Sequence, residues 1–347
     1  MRPAAKFRTR IALILTAFGC GLGTSSALAQ SADEPFKGRT VTITIGFSTG
    51  GNYDLVGRLV ARHIGKQLPG QPSVVPVNMP GAGSIRAANF VFAAAPKDGT
   101  ALGILSSSIA LEEALGTPGI TYRSAEFNWI GRVSFILQVL ATLSPSKART
   151  IADVLVHETP MGATGPGSPS EGYPKLLNAL IGTKFKIVTG YSASTDVMLA
   201  MDKGEVDGGL PSWNNVVRLR PEWLREKRVY PLVQWVLQRA PELPDVPTSV
   251  ELGKTLGDRD VLAFYTSSEE LGRSITAPPG IAPERVEMLR RAFDRMLADA
   301  DFLAEIQRVR QEFNPLTGEQ MQKLVADTAR TAPEVIARTK VLVGGGK

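Results

Sequence analysis

Three loops rich in glycine, serine and threonine are the segments of this 347-residue chain best suited to contact a ligand. They span residues 47–54 (FSTGGNYD), 80–84 (PGAGS) and 164–172 (TGPGSPSEG), and are called the first, second and third loop. Each precedes a helical pattern. Glycine lets the backbone approach a ligand, and a helix start offers unpaired N–H groups and partial positive charge. Together with the hydroxyl groups, such loops suit an anionic, carboxylate-like group, although a single one is more often a connector.

An enzymatic alternative comes from the first loop. Residues 46–50 spell G-x-S-x-G between a strand and a helix, which is the nucleophile-elbow pattern with Ser48 as nucleophile. That mechanism also needs a histidine base later in the chain, oriented by an acid. Of the two histidines, His63 falls in the helix directly after Ser48, and His157 sits near a helix end far along the chain. Neither has the expected position, so a serine hydrolase is the weaker alternative and we predict no enzymatic activity.

Metal and nucleotide sites have no support in the sequence. Two histidines 94 positions apart and a single cysteine leave no clustered metal ligands. No Gly-Lys-Ser or Gly-Lys-Thr follows the glycines, and Gly81-x-Gly83 lacks the third glycine of a dinucleotide fingerprint. We therefore expect no metal and no cofactor.

The first 29 residues read as an export signal. Arg2, Lys6 and two further arginines precede an apolar run over residues 11–18, and residues 26–29 (SALA) give a small-x-small cleavage pattern. The run is too short to span a membrane. We predict a signal peptide over residues 1–29 and a periplasmic mature protein. Lipidation at Cys20 is the alternative, and the bulky Phe18 fits that signal poorly.

The charge of the mature chain excludes one class of partner. The full sequence carries 39 Lys and Arg against 33 Asp and Glu, a net charge of +6. The leader holds four basic and no acidic residues, so the mature chain has 6 − 4 = +2. A net charge this small does not indicate a nucleic-acid-binding protein. The length suits about two domains.

Short β-branched runs alternate with helical stretches, which favours mostly parallel sheets covered by helices. In the first half we predict strands over residues 41–45, 74–77 and 100–105, and helices over residues 55–64 and 85–95. Further along we predict strands over 135–143, 161–163, 185–188, 206–210 and 229–236, and helices over 150–157 and 173–181. From about residue 261 we predict one extended stretch and two long helices, over residues 283–311 and 317–340.

Six short motifs give the chain a family resemblance. They occur in order over almost the whole mature chain: FSTGGNYD (47–54), NMPGAGS (78–84), APKDGT (95–100), GEVD (204–207), LPDVPT (243–248) and APPG (277–280). In this order they resemble the solute receptors of tripartite tricarboxylate transporters, the Bug family. Proline is frequent in that family where this chain has Thr49, and residues 264–270 (FYTSSEE) replace its aromatic-glycine hinge stretch. These departures, together with the bulky Tyr53, bear on ligand identity rather than on the fold.

The resemblance implies an α/β fold of two doubly wound lobes of the periplasmic-binding-protein (Venus-flytrap, type II) kind, joined by crossing strands. We expect residues 30–134 plus 261–347 to form the first lobe and residues 135–260 the second. The hinge is expected where residues 133–138 and roughly 261–266 cross. The implied partners are a small carboxylate ligand and membrane permease subunits, for a protein that is itself a monomer.

In open parallel sheets, ligands bind beyond the carboxyl ends of the strands, and the resemblance implies that the first and third loops grip the carboxylate from opposite lobes. The candidate ligand-binding residues of the first lobe are Phe47, Ser48, Thr49, Gly50, Gly51, Asp54, Gly83, Ser84, Ser106 and Ser107. Those of the second lobe are Thr164, Gly165, Gly167, Ser168, Ser212 and Trp213. We expect Asp54 to pin its own loop, because a carboxylate would repel an anion. A ligand-sensing receptor for a two-component system is the alternative function, and the ligand could be a dicarboxylate, a tricarboxylate, an aromatic acid, an amino acid or a nicotinamide-like molecule.

Overall fold

The computed structural model describes residues 34–164, 168–191 and 193–344. The predicted signal peptide with Cys20, and the site candidates Gly165 and Gly167, lie outside these residues. Within them, no helix is both long enough and apolar enough to cross a membrane.

The described chain contains two sheets, in agreement with the predicted two-lobed α/β fold. The first sheet has the strand order β11-β4-β10-β3-β1-β2. Its strands are β1 (Thr40–Ile45), β2 (Ser73–Asn78), β3 (Ala101–Ile104), β4 (Asn128–Ser134), β10 (Arg273–Ala277) and β11 (Leu316–Thr317). Strand β1 pairs in parallel with β2 and β3, whereas β10 runs antiparallel between β3 and β4. Val41, Ile43 and Ile45 are fully buried in the core of this lobe.

The second sheet has the order β7-β6-β8-β5-β9. Its strands are β5 (Gln138–Leu143), β6 (Thr159–Ala163), β7 (Phe185–Thr189), β8 (Gly208–Gly209) and β9 (Val229–Trp235). Apolar side chains of β5 alternate between two cores, because successive residues of a strand point to opposite faces. Leu140 packs on one face of the sheet, and Val139 and Ala141 pack on the other.

Helices cover the faces of both sheets. In chain order they are α1 (Asn52–Gln67), α2 (Ile85–Ala93), α3 (Ile109–Ala114), α4 (Ile151–Val156), α5 (Pro169–Ile181), α6 (Ser194–Lys203), α7 (Trp213–Leu219), α8 (Pro221–Arg225), α9 (Leu256–Leu271), α10 (Pro283–Leu297), α11 (Ala300–Arg308), α12 (Gly318–Ala329) and α13 (Pro333–Gly344). Helix α1 begins within the first loop, at Asn52, and α5 begins within the third loop, at Pro169.

The two connections between the sheets differ from each other. The chain leaves β4 at Ser134 and enters β5 at Gln138, so the first crossing lies where it was predicted. The predicted crossing strand at residues 261–266 is wrong, because these residues lie inside helix α9. That helix begins with a capping box in which Thr255 and Asp258 bond each other's backbone N–H groups. Several α9 side chains pack in the core of the second sheet, and the boundary at residue 260 stays a prediction.

Each of the two long C-terminal helices predicted is in fact a pair of helices. The Asp299 carboxylate accepts hydrogen bonds from the N–H groups of Asp301 and Phe302, so a new helix, α11, starts within residues 283–311. Pro333 likewise starts α13 within residues 317–340. Strand β4 was not predicted, and β8 is two residues long instead of residues 206–210.

Candidate functional site

The carboxyl ends of β1, β2 and β3 lie at one edge of the first sheet and carry the first loop, the second loop and residues 105–108. Ser84 of the second loop contacts the other two segments through Gly46 and Ser106. A Cβ atom added at Gly46 would lie 1.9 Å from Ser84 Oγ, so only glycine permits this approach. The same hydroxyl accepts a hydrogen bond from Ser106 N at 3.2 Å. Ser84 is therefore buried beneath the loops, whereas Gly83 beside it is exposed.

Asp54 fixes the shape of the first loop. Its carboxylate accepts hydrogen bonds from Gly50 N, Arg58 Nε and Asn78 Nδ2, each at 2.9 Å, and Asn78 Nδ2 also donates to Phe47 O at 2.8 Å. Although burial alone would raise it, these hydrogen bonds lower the pKa of Asp54 below its ordinary value. Both oxygens of this carboxylate thus bond to the first loop, to α1 and to the end of β2, which matches the pinning role expected of Asp54.

The rest of the first loop is open to solvent. Ser48, Thr49, Gly50 and Gly51 are exposed. Gly50 has φ +88°, in the left-handed region that glycine favours, and Gly51 starts α1 without a side-chain cap. Phe47 stacks on Tyr53 with ring centres 4.3 Å apart, and Tyr53 Oη accepts a hydrogen bond from Ser107 N at 2.9 Å. The loop therefore presents hydroxyls and backbone at the start of a helix, on a rigid aromatic support.

In the second lobe, a serine cluster organises the third loop. Ser170 Oγ accepts a hydrogen bond from Thr164 N at 3.0 Å and lies 3.1 Å from Thr164 Oγ1 and 2.9 Å from Ser168 Oγ. Pro169 begins α5 directly after Ser168. Ser170 was not among the predicted site residues, although its place in the same loop was the available signal. Thr164, Ser168 and Ser170 thus form one group of hydroxyls at the start of α5.

Ser212 and Trp213 start helix α7 but differ in their surroundings. Trp213 packs in the apolar core with Val139 and Val216, so its ring supports the helix start. Ser212 is buried, and its hydroxyl has no hydrogen-bond partner among the described residues.

The two lobes contact each other at the starts of α1 and α7. Asn52 Nδ2 donates to Asn215 Oδ1 at 3.2 Å, and Arg218 Nη2 lies 3.3 Å from both Asn52 Oδ1 and Asn215 Oδ1. These contacts bring the loop-bearing edge of the first sheet next to the start of α7 in the second lobe. Sequence reasoning missed Asn215 and Arg218, because nothing local marks a contact between residues so far apart in the chain.

A buried polar group lies in the second lobe near the hinge. The Tyr173 ring stacks on Trp235 with centres 3.7 Å apart, and Tyr173 Oη donates to Glu269 Oε1 at 2.5 Å. Burial raises the pKa of Glu269 to about 7, with Glu270 acting in the same direction and Tyr173 and Arg273 against it. The only sequence signal for this group was the unusual stretch 264–270.

The histidines do not complete a hydrolase site. His63 Nε2 lies 2.7 Å from Glu305 Oε2, and its ring packs edge-on against Phe302, so it belongs to the contact between α1 and α11. His157 is exposed at the end of α4 in the other lobe. Ser48 therefore lacks the oriented base that the hydrolase alternative requires.

Comparison with known proteins places the chain in a family. Residues 56–341 match the family model described as "Tripartite tricarboxylate transporter family receptor". A relative from Pseudomonas sp. strain P51, the "UPF0065 protein in tcbD-tcbE intergenic region", is 27% identical over 331 residues, which cover 93% of this chain and 88% of the relative.

Two solved structures share the fold. MatC from Rhodopseudomonas palustris with bound malate superposes with a TM-score of 0.63 at 24% identity, covering 89% of this chain and 100% of that protein. R. palustris Rpa4515 with adipate gives a TM-score of 0.64 at 22% identity, covering 87% and 97%. The chain belongs to the tripartite tricarboxylate transporter family of receptors, which are solute-binding proteins and not enzymes.

Proposed function

We propose that this protein captures a small carboxylate-bearing ligand in the cleft between its lobes and delivers it to the membrane subunits of a tripartite transporter. One observation carries the proposal: two groups of uncharged donors, in the first and third loops, stand at helix starts on facing sheet edges. Helix-start N–H groups and hydroxyls suit a carboxylate without a cationic side chain. The malate and adipate bound by two proteins of the same fold support a ligand of this class.

In this proposal, the first and third loops contact the ligand from opposite lobes. Ser48, Thr49, Gly50 and Gly51 contact the ligand from the first lobe, because they are the exposed part of the pinned loop. Thr164, Gly165, Gly167 and Ser168 contact it from the second lobe. A ligand that touches both loops favours the closed arrangement of the lobes, so binding draws them together about the two connections between the sheets, at residues 135–137 and at Gly272.

The proposed localisation of the mature protein is the periplasm. We infer export from the basic and apolar leader over residues 1–29. We also propose that the mature receptor acts as a monomer. Periplasmic members of the same fold, such as BugD, support this location.

The test is a binding screen with the mature protein. Calorimetric titration and thermal shift with malate, succinate, adipate and citrate should find at least one ligand, and Ser168→Trp should abolish its binding without lowering the melting temperature by more than a few degrees. Ser73→Trp is the matched control, because Ser73 is exposed at the start of β2, the end of that strand remote from the second loop. If Ser168→Trp binds the ligand as tightly as wild type does, the proposed contact of the third loop with the ligand is wrong.

A further inference from the structure

The two connections between the sheets lie side by side. A Cβ atom added at Gly272, the second connection, would lie 2.1 Å from Ser134 O and 2.6 Å from Phe135 Cα, so a side chain there would collide with the first connection. Arg273 Nη1 donates to Ser134 Oγ at 3.1 Å and to Phe135 O at 3.3 Å. Close backbone contact and two hydrogen bonds therefore join the connections at one place in the molecule, which we call the pivot.

A second arginine, Arg132 of β4, also holds the pivot. Its Nη1 donates to Glu270 Oε2 at 3.2 Å, and its guanidinium lies over the Phe135 ring, 5.9 Å from the ring centre. Arg132 and Arg273 are each 2% exposed, and hydrogen bonds in such buried surroundings are stronger than those in water. We therefore expect the lobes to rotate about the pivot rather than to slide past each other.

The strand order places the pivot between two sides of the molecule. In the first sheet, β4 and β10 carry the connections, with β3, β1 and β2 on one side and β11 on the other. In the second sheet, β5 carries the first connection, with β8, β6 and β7 on one side and β9 on the other. Asn52, which follows β1, bonds Asn215, which follows β8, so the loop-bearing sides of the two sheets coincide. We call that side the front and the side of β9 and β11 the rear.

A cavity of about 540 Å³ lies between the lobes at the rear. Its wall from the second lobe is residues 236–241, which follow β9, and its wall from the first lobe contains Leu316 of β11 and one part of α12. Phe135 and Glu270, which take part in the pivot, also line it. This rear cavity is therefore bounded by both lobes and by the pivot, on the side away from the first and third loops.

The rear cavity does not have the features of a binding site for a charged ligand. The four charged side chains that line it are all engaged in ion pairs. The pairs are Arg239 with Glu251 at 3.0 Å, Lys323 with Asp327 at 2.6 Å, and Glu270 with Arg132 at 3.2 Å. Leu237, one of several apolar residues in its walls, is 40% exposed. A gap of this kind between two lobes is what a rotation about the pivot would open.

We propose that the lobes close at the front by opening at the rear, so that the walls of the rear cavity set the ligand affinity without touching the ligand. Two bodies that rotate about a fixed pivot move in opposite directions on its two sides, so the rear walls approach each other when the front opens. A bulky group in the rear cavity therefore disfavours the open form and raises the population of the closed, ligand-binding form. The inference rests on the proposed function and adds to it two positioning residues, Leu237 and Gln320, one on each wall.

Leu237→Trp and Gln320→Trp test this role by calorimetric titration of the mature protein. Both residues are exposed, so a larger side chain fills the rear cavity rather than the core. The probe is whichever of malate, succinate, adipate and citrate binds wild type most tightly. The apparent Kd is the Kd of the closed form divided by the closed fraction, so each variant should bind the probe about three- to tenfold more tightly than wild type. A tryptophan that only damaged the structure would weaken binding instead.

Leu199→Trp is the matched control for these variants. Leu199 is 45% exposed, close to the 40% of Leu237, but it lies on α6 and does not line the rear cavity. The same change of residue type at a similarly exposed position should therefore leave the Kd for the probe equal to that of wild type. Tighter binding by the two rear variants alone would assign the effect to the rear cavity.

Engineered cysteine pairs measure the movement itself. Cys20 is the only cysteine of the sequence and lies in the predicted signal peptide, so introduced pairs react without competition in the mature protein. A rear pair, Leu237→Cys with Gln320→Cys, is treated with bifunctional thiol reagents of graded length. The shortest reagent that links this pair should be longer with saturating probe than without it. A front pair, Asn52→Cys with Asn215→Cys, should form its disulfide about threefold faster or more with saturating probe.

Several results would overturn the role of the rear cavity. These are unchanged or weaker probe binding by either rear variant, equally tightened binding by Leu199→Trp, or a rear pair whose walls approach each other when the probe binds. With probe binding retained, each of them leaves the proposed function standing. If none of the four acids binds, the proposed function fails, and the front pair still tests the rear cavity without a ligand. Adding Leu237→Trp should then speed the front disulfide about threefold or more, and an unchanged rate would contradict the inference.

Discussion

Asn52 and Asn215, 163 positions apart in the chain, share a hydrogen bond of 3.2 Å that joins the start of α1 in one lobe to α7 in the other. Arg218 contacts both side chains, so the three residues form a small polar junction at the rim of the cleft. Contacts between lobes exist only when the lobes are close. This junction therefore contributes to the stability of the closed form.

Removing the junction should weaken ligand binding without unfolding the protein. One hydrogen bond contributes about 0.5–1.5 kcal/mol, so Asn52→Ala and Asn215→Ala should each raise the Kd by about two- to tenfold, by shifting the lobes toward the open form. Because they break the same contact, the double variant should be little worse than either single one. Titration calorimetry measures the three values, and strictly additive losses would show that the two residues act independently.

Gly46→Ala should destabilise the first lobe. The added methyl would lie 1.9 Å from Ser84 Oγ, which forces a shift of backbone or side chain worth about 1–3 kcal/mol. Gly51→Ala is the matched control, because its methyl would meet only Ser48 O at 4.0 Å. Chemical unfolding should show the loss in Gly46→Ala and not in Gly51→Ala, and Ser84→Gly should restore part of it. Equal stability of the two single variants would contradict this close approach.

Asp54→Ala should loosen the first loop and reduce both stability and binding. Gly50 N, Arg58 and Asn78 would lose their common acceptor, at a cost of about 1–3 kcal/mol for the groups left unpaired. The measurement is hydrogen exchange of the Gly50 amide together with ligand titration. The Gly50 amide should exchange faster in Asp54→Ala than in wild type, and the ligand should bind more weakly. If that amide exchanges at the same rate in both proteins, Asp54 does not fix the loop.

Glu305 should give the protein an acid-sensitive component of stability. A hydrogen bond from His63, together with Arg62, lowers the pKa of Glu305 from 4.5 to about 2. Because the folded-state pKa is depressed, the stabilisation is complete above pH 4.5 and is lost as the pH falls toward 2; its size is at most about 3 kcal/mol.

Denaturant unfolding of Glu305→Gln between pH 7 and pH 2 measures this component. The variant should be less stable than wild type at pH 7, and the difference should shrink below pH 4.5. Glu226→Gln is the control, because Glu226 is exposed and should leave the profile unchanged. A constant difference from pH 7 to pH 2 would contradict the assignment.

The parts of the fold that could be predicted from the sequence are those set by local pattern. The alternation of apolar residues in β1 and the glycines after it were enough to place the strand, the first loop and helix α1. The strand predicted at residues 261–266 was wrong. A run of apolar and β-branched residues suggests a strand, but the capping box of Thr255 and Asp258 starts a helix upstream of it.

The buried group of Tyr173, Trp235 and Glu269 could not be predicted. Glu269 is charged and lies on a helix, which by pattern indicates a solvated face. Its burial depends on Tyr173, 96 positions away, and on the ring of Trp235 behind it. Local sequence carries no information about such contacts, whereas the exposed serines and glycines of the two loops follow directly from their positions after strands.

A crystal structure of the mature protein with a bound dicarboxylate such as adipate tests the central claim most directly. We predict that one carboxylate lies within about 3.2 Å of donors from residues 48–51 of one lobe and from residues 164–170 of the other. A carboxylate that contacts donors of a single lobe, or a ligand bound outside this cleft, would contradict the account.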